Sequence, residues 1–211
     1  MNGARVVVTG MGAMSALGAG VGAIVGAMRE GRDGISKLTR IDVRALAPLD
    51  LAGWLREPWE RGEPADLAAW TRAAAREAWE DAGGAALGER PERIAIVAGT
   101  TLGEKGEIHC VADAAAEAIG ARGPRWTVST ACASSANAIG LARDLLLAGD
   151  ADVVLAGGAE KLIAEVFAGF AALGVLAADK CAPFGEGLGT TLGEGAGFVV
   201  LEREGERDVR P

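Results

Sequence analysis

Trp126-Thr127-Val128-Ser129-Thr130-Ala131-Cys132-Ala133-Ser134-Ser135 leads from a short apolar segment into a helix-forming stretch that continues to about Leu147. Read as strand, tight turn and helix, it places Cys132 beyond a strand end and in the first turn of a helix. A thiol there feels the partial positive charge and the unpaired N–H groups of the helix N-terminus. In that setting a thiolate is favoured and a cysteine becomes a nucleophile. Ala131, Ala133 and Ser134 are small, so backbone and substrate can come close to the sulfur. The competing reading of a free cysteine, a small buried hydrophobe, is kept for Cys110, inside a predicted amphipathic helix, and for Cys181, in a loop before Pro183.

The same alternation extends in both directions. Upstream, Arg5 to Thr9 is a continuous apolar run expected for a buried strand, and Gly10 to Gly18 reads as a glycine-rich turn. Val21, Ile24, Val25 and Met28 recur at helical spacing before Gly31. Ile35 to Glu63, without a sustained period, reads as a loop-rich excursion. Pro64 opens a second helix, with Leu67, Trp70, Ala74 and Ala78 on one stripe, and Ile94 to Ala98 is a second strand. Ile108, Val111, Ala115 and Ile119 mark a third helix. Downstream, Asp152 to Ala156 is a strand stopped by Gly157-Gly158, and a helical segment passes through Phe167, Phe170 and Leu173. A second glycine-rich loop, Gly185 to Gly197, leads to a last strand, Phe198 to Leu201. Five strands alternating with helices predict one α/β domain over residues 1–211, with helices on both faces of a sheet.

Composition narrows the function. Half of the 211 residues are hydrophobic and 32 are glycine, enough for a tightly packed core. Three cysteines without paired spacing argue against a disulfide framework and for a reducing compartment. His109 is the only histidine, so no zinc pattern exists, and no cofactor is expected. A net charge of -8 disfavours nucleic acid or an anionic membrane as partner. Val6-Val7-Val8 is too short for a signal or a membrane span, which predicts a soluble, cytoplasmic protein. Gly10-Met11-Gly12 starts like a dinucleotide fingerprint, but Ser15 stands where the third glycine belongs. Those glycines are therefore assigned to close packing. A hydrolase-like cysteine enzyme would want a histidine downstream of its nucleophile, and none follows Cys132.

Several segments, in order along the chain, resemble the β-ketoacyl-acyl carrier protein synthases, condensing enzymes of the thiolase fold. They are Arg5 to Gly12 with Leu17-Gly18, Thr127 to Ser134 around Cys132, Gly149 to Asp152 with Gly157 to Glu160, Gly169-Phe170, Pro183-Phe184, and Gly193 to Gly197. The resemblance implies a thiolase-like half with a five-stranded mixed sheet, and a two-step acyl transfer. Cys132 would accept an acyl group from an acyl carrier protein thioester, and malonyl carrier protein would then lose carbon dioxide and attack the acyl enzyme. A thiolate is both nucleophile and leaving group, and the Cys132 N–H is the natural first oxyanion donor. Phe170 resembles the family's aromatic near the acyl pocket, with plain core packing as the other reading. Ala133 and Ser134 are counted as substrate-binding. Glu160 and Glu194 match acidic positions of the family's glycine-rich loops and are assigned to backbone hydrogen bonds, with catalysis as the other reading, and Phe184 and Phe198 are assigned to the core.

Departures from the family pattern are as informative. Two histidines, a lysine and a second oxyanion donor belong to a C-terminal half of that fold, which this sequence lacks, and His109 reads as a surface residue. The segment from Gly99 to Trp126 is shorter, and Gly185 to Gly189 lacks the usual Asp and Arg. The expected partner is a C-terminal synthase half or another subunit, docked on an exposed apolar helical face. The expected function is the cysteine-bearing half of a condensing enzyme, weak or inactive on its own; a noncatalytic scaffold of a synthase and a stand-alone acyl-transfer protein are the alternatives.

Overall fold

The computed structural model describes residues 4–38, 41, 51–53, 66–88, 90–104, 106–178, 180–185 and 187–205. Strand β1 (Val6–Ser15) folds back into the two-residue β2 (Gly18–Ala19) and leads into helix α1 (Val21–Arg29). Short strands β3 (Ile35–Lys37) and β4 (Leu51–Gly53) precede α2 (Leu67–Asp81) and the single turn α3 (Gly84–Leu87). Strand and helix then alternate through β5 (Ile94–Gly99), α4 (Cys110–Ile119), β6 (Arg125–Val128) and α5 (Ser134–Ala148). The last elements are β7 (Val153–Glu160), α6 (Ala164–Ala172), β8 (Leu192–Gly193) and β9 (Gly195–Arg203).

The main sheet has six strands in the order β2-β1-β9-β7-β5-β6. β5 runs parallel to β6 and β7, whereas β9 is antiparallel to both β7 and β1, so the sheet is mixed as expected. The five predicted strands are all in it; the sixth is the β2 hairpin, too short to leave a periodic signal. Residues of β5 alternate between two cores. Ile94, Ile96 and Ala98 pack with Trp70, Ala74 and Ala78 of α2 and Val111 and Ala115 of α4. Ala95 and Val97 pack on the opposite face with Ala138, Ala142, Leu145 and Leu146 of α5. Helices thus cover both faces, each hiding one apolar stripe.

Local signals set several helix ends. Asp66 caps α2 by accepting the Ala69 N–H, while α4 and α5 stop at Gly120 and Gly149, both left-handed. Pro64 lies outside the described residues.

Three expectations are corrected, and glycine is the common cause. β1 passes through Gly10 and Gly12 without turning, because α2 lies directly on its backbone. A Cβ on Gly10 would come 2.2 Å from the Ala78 carbonyl oxygen, and one on Gly12 would come 2.1 Å from that of Ala74. β7 likewise continues through Gly157 and Gly158 to Glu160, and β9 begins at Gly195, inside the predicted loop. In all three, glycine marks a close approach of backbones and not a stop. Part of the segment read as a loop-rich excursion also forms strands, since β3, β4 and β8 make a second, three-stranded sheet.

An ion-pair cluster secures the end of the sheet at which β7 starts. Arg93 donates to the Gly149 carbonyl at 2.7 Å and to Asp152 at 2.8 Å, and Arg203 donates to the Ala151 carbonyl at 3.0 Å. The Arg93 guanidinium holds the Asp152 carboxyl below the usual carboxylate range.

Candidate active site

The C-terminal ends of the three mutually parallel strands, Gly99 on β5, Val128 on β6 and Glu160 on β7, lie at one edge of the sheet. In open α/β sheets ligands collect at such carboxyl ends. A cavity of about 490 Å³ opens there, and Cys132 is part of its wall.

Cys132 is exposed and lies in the connection between β6 and α5. Ala131, just before it, has φ 52°, a left-handed conformation that costs a residue with a Cβ about 1–2 kcal/mol. Hydrogen bonds hold that elbow. The Thr130 N–H donates to the Ser134 hydroxyl at 2.9 Å, and this hydroxyl donates to the Ala131 carbonyl at 2.6 Å. One turn on, the Asn137 amide donates to the Thr130 hydroxyl at 2.8 Å. α5 starts at Ser134, and its cap residue Ala133 offers no side-chain cap, which leaves the positive end of the helix dipole facing the elbow.

Bare main chain on the neighbouring strands lets the helix approach. A Cβ on Gly99 would lie 2.5 Å from the Ser135 nitrogen, and one on Gly158 would lie 2.3 Å from the Ser135 hydroxyl oxygen. Of the predicted residues, Cys132, Ser134 and Phe170 all line the cavity. Phe170 stands one helical turn after Val166, which lines it too, whereas Phe167 is fully buried and anchors α6 on Leu38 and Leu162. Ser134 is buried, and its hydroxyl is engaged within the elbow. Ala133 is exposed and occupies the cap position of α5, outside the cavity lining.

Both acidic residues of the glycine-rich segments hold backbone. Glu160 accepts the Thr101 N–H at 2.6 Å, and the buried Glu194 accepts the Leu162 N–H at 3.2 Å. Phe198 is core, but Phe184 is fully exposed with φ 62°, contrary to its assignment to the core. His109 is exposed, precedes α4 and lies outside the cavity lining. Cys110 is half-buried, receives the Glu104 N–H at 3.3 Å, and burial pushes its thiol pKa up. Among the described residues, no group of three or more His, Cys, Asp or Glu is placed to hold a metal ion. No helix among them is long and apolar enough to cross a membrane.

Sequence reasoning passed over Lys161 and Thr101, which also line the cavity. Thr101 lies two residues after the observed end of β5 and Lys161 directly after that of β7, but the predicted strands end earlier, at Ala98 and Ala156, and give no signal for either.

Residues 108–207 match the sequence family described as Beta-ketoacyl synthase, N-terminal domain. Nodulation protein E of Rhizobium meliloti (strain 1021) is 34% identical over 231 aligned residues, which take in 94% of this chain and 58% of that protein. 3-Oxoacyl-[acyl-carrier-protein] synthase 2 of Staphylococcus aureus (strain N315) is 33% identical, over 94% of this chain and 57% of its own length. The chain therefore spans less than two thirds of these curated relatives. Among solved structures, the ishigamide ketosynthase/chain length factor superposes with a TM-score of 0.84 at 29% identity, over 98% of this chain and 60% of that one. A β-ketoacyl synthase from Burkholderia phymatum STM815 gives 0.83 at 25% identity, over 99% and 61%.

Proposed function

We propose, from its likeness to the β-ketoacyl synthases, that this chain belongs to that family and is the cysteine-bearing N-terminal half of a decarboxylative acyl-condensing enzyme, an acyltransferase of fatty acid or polyketide synthesis. The observation that carries this reading is an exposed Cys132 on a left-handed elbow, opening into a cavity at the carboxyl edge of the sheet. Its sulfur attacks the carbonyl of an acyl carrier protein thioester. The bond to the carrier's sulfur breaks, the carrier thiol leaves with a proton, and the acyl group stays on Cys132. Malonyl carrier protein then loses carbon dioxide, and the resulting carbanion displaces the Cys132 sulfur to give the 3-oxoacyl product. The Cys132 N–H supplies one hydrogen bond to the oxyanion of each tetrahedral intermediate.

By the family resemblance, stabilising the enolate of the second step calls for a pair of histidines, and among the described residues no histidine lines the cavity. His109 is exposed elsewhere, and one missing donor of this kind is worth about 10² to 10³ in rate. A second half, on another segment or another subunit, completes the site. The outward side of α5, where Ile139 and Leu147 each keep 39% exposure, is a suitable seat for it. Free thiols throughout the chain agree with a cytoplasmic location.

Acylation is the test. The chain is incubated with acyl carrier protein thioester and analysed by mass spectrometry for an adduct that Cys132→Ala abolishes. Absence of adduct, with and without a C-terminal half, would overturn the catalytic assignment and leave a noncatalytic synthase subunit. Condensation by the isolated chain at the rate of a complete synthase would overturn the need for a partner.

A further inference from the structure

Two consecutive residues at the end of β7 reach across to the loop that follows β5. Glu160 takes the Thr101 N–H, and the Lys161 ammonium donates to Glu104 at 3.2 Å. The Lys161 and Glu104 side chains keep only 27% and 29% exposure, so their attraction is screened less than that of a surface pair. The second Glu104 oxygen accepts the Leu67 N–H at 3.3 Å, which ties the carboxylate to the positive end of α2 as well. From the other side, the Ser129 hydroxyl donates to the Thr101 carbonyl at 3.0 Å, and the Gly103 N–H donates to the Thr100 hydroxyl at 3.1 Å. Thr100, Thr101 and Lys161 all face the cavity that holds Cys132, and Lys161 is the one cation among its described lining residues.

Resting on the acyl-transfer reading, we infer that the Lys161–Glu104 pair is a specificity-determining strap that limits the size of the acyl group Cys132 carries. The aliphatic stem of Lys161 offers hydrocarbon to an acyl tail, while its ammonium is drawn back onto Glu104. A tail that runs beyond the stem has to part the pair and leave two partly desolvated charges without each other, which is costly. Slender, short acyl groups are accepted and longer ones are turned away. Both residues act by positioning the wall and touch no reacting atom.

The test reads cavity size at Cys132 without requiring turnover. The full chain is alkylated with N-ethyl, N-butyl and N-octyl maleimide, and the rate at Cys132 is followed by peptide-resolved mass spectrometry. Lys161→Ala and Glu104→Gln should each raise the octyl-to-ethyl rate ratio by about tenfold, the discrimination expected from a few methylenes in a tight site. Lys161→Met, which keeps the bulk but not the charge, should follow Glu104→Gln, and Lys161→Arg should keep the wild-type ratio. An unchanged ratio in Lys161→Ala and Glu104→Gln overturns the strap. If either variant unfolds, judged by its thermal midpoint, Lys161→Met against Lys161→Arg gives the decision. A parallel series of acyl-pantetheine thioesters separates this inference from the reading beneath it. No acylation with a shifted maleimide ratio overturns only the acyl-transfer reading, and acylation with unshifted profiles overturns only the strap.

Discussion

The Thr130 N–H and the Ser134 hydroxyl are 2.9 Å apart, a hydrogen bond that joins the residue two before Cys132 to the first residue of α5. That contact spans the left-handed Ala131 and fixes where the sulfur emerges. Ser134→Ala should therefore lower stability by about 1–2 kcal/mol, the loss of the two hydrogen bonds that the buried hydroxyl makes to Thr130 and Ala131. Acylation of Cys132 should fall with it. A variant with wild-type unfolding and wild-type acylation would show that the elbow does not depend on this bond.

At Ala131 the backbone favours glycine. Ala131→Gly relieves a left-handed strain of about 1–2 kcal/mol, offset by the greater freedom of glycine in the unfolded chain, so its stability should stay close to wild type. Ala131→Val adds a β-branch to the same conformation and should destabilise clearly. Chemical denaturation of the pair measures the difference, and equal midpoints would argue against a strained elbow.

The thiols should separate by environment. Cys132 is exposed, whereas burial raises the thiol pKa of the half-buried Cys110. Peptide-resolved alkylation with iodoacetamide across a pH series should modify Cys132 first, with Cys110 following only at more alkaline pH, since the thiolate is the reacting form. Equal pH profiles at both positions would contradict this placement.

Glycine substitutions should split sharply. Gly10→Ala and Gly12→Ala push a methyl group into the α2 backbone and should cost more than about 3 kcal/mol or prevent folding. Gly140→Ala, on the outward side of α5 with nothing within 4 Å of the new Cβ, should stabilise by about 0.5–1 kcal/mol through helix propensity. Thermal unfolding checks all three.

Acid stability should report the Asp152 cluster. The carboxyl pKa is depressed in the fold, so its contribution is complete above the 3.8 of an ordinary aspartate and is lost as pH falls through the lower folded value. Asp152→Asn should remove about 1–3 kcal/mol near neutral pH and flatten the acid limb of the stability curve below pH 3.8. An unaltered acid limb would show that Arg93 does not carry this linkage.

What the sequence revealed and what it concealed follow from the same residue types. Ile94 to Ala98 and Asp152 to Ala156 announce themselves as apolar runs because both of their faces are covered, and the turn at Cys132 is legible because an apolar run passes abruptly into small residues and then a helix. Gly12, Gly158 and Gly195 were read as breaks because local preference says so, while their actual partners, Ala74, Gly99 and Met14, are distant in sequence. Lys161 and Glu104 carry no local signal at all, since 57 positions separate the two ends of the pair.

The Ser134–Ser135 backbone sits against Gly99 and the Ser135 hydroxyl against Gly158, so the reactive atom is located by bare strand backbone together with the Ser134 hydrogen bonds. Val166, Phe170 and Leu192 bound the same space with side chains that can be exchanged without moving those strands. A lineage can retune the contents of such a chamber by point substitution while its reagent stays in place, so substrate taste can diverge readily, whereas relocating the sulfur would mean rebuilding the strands beneath it.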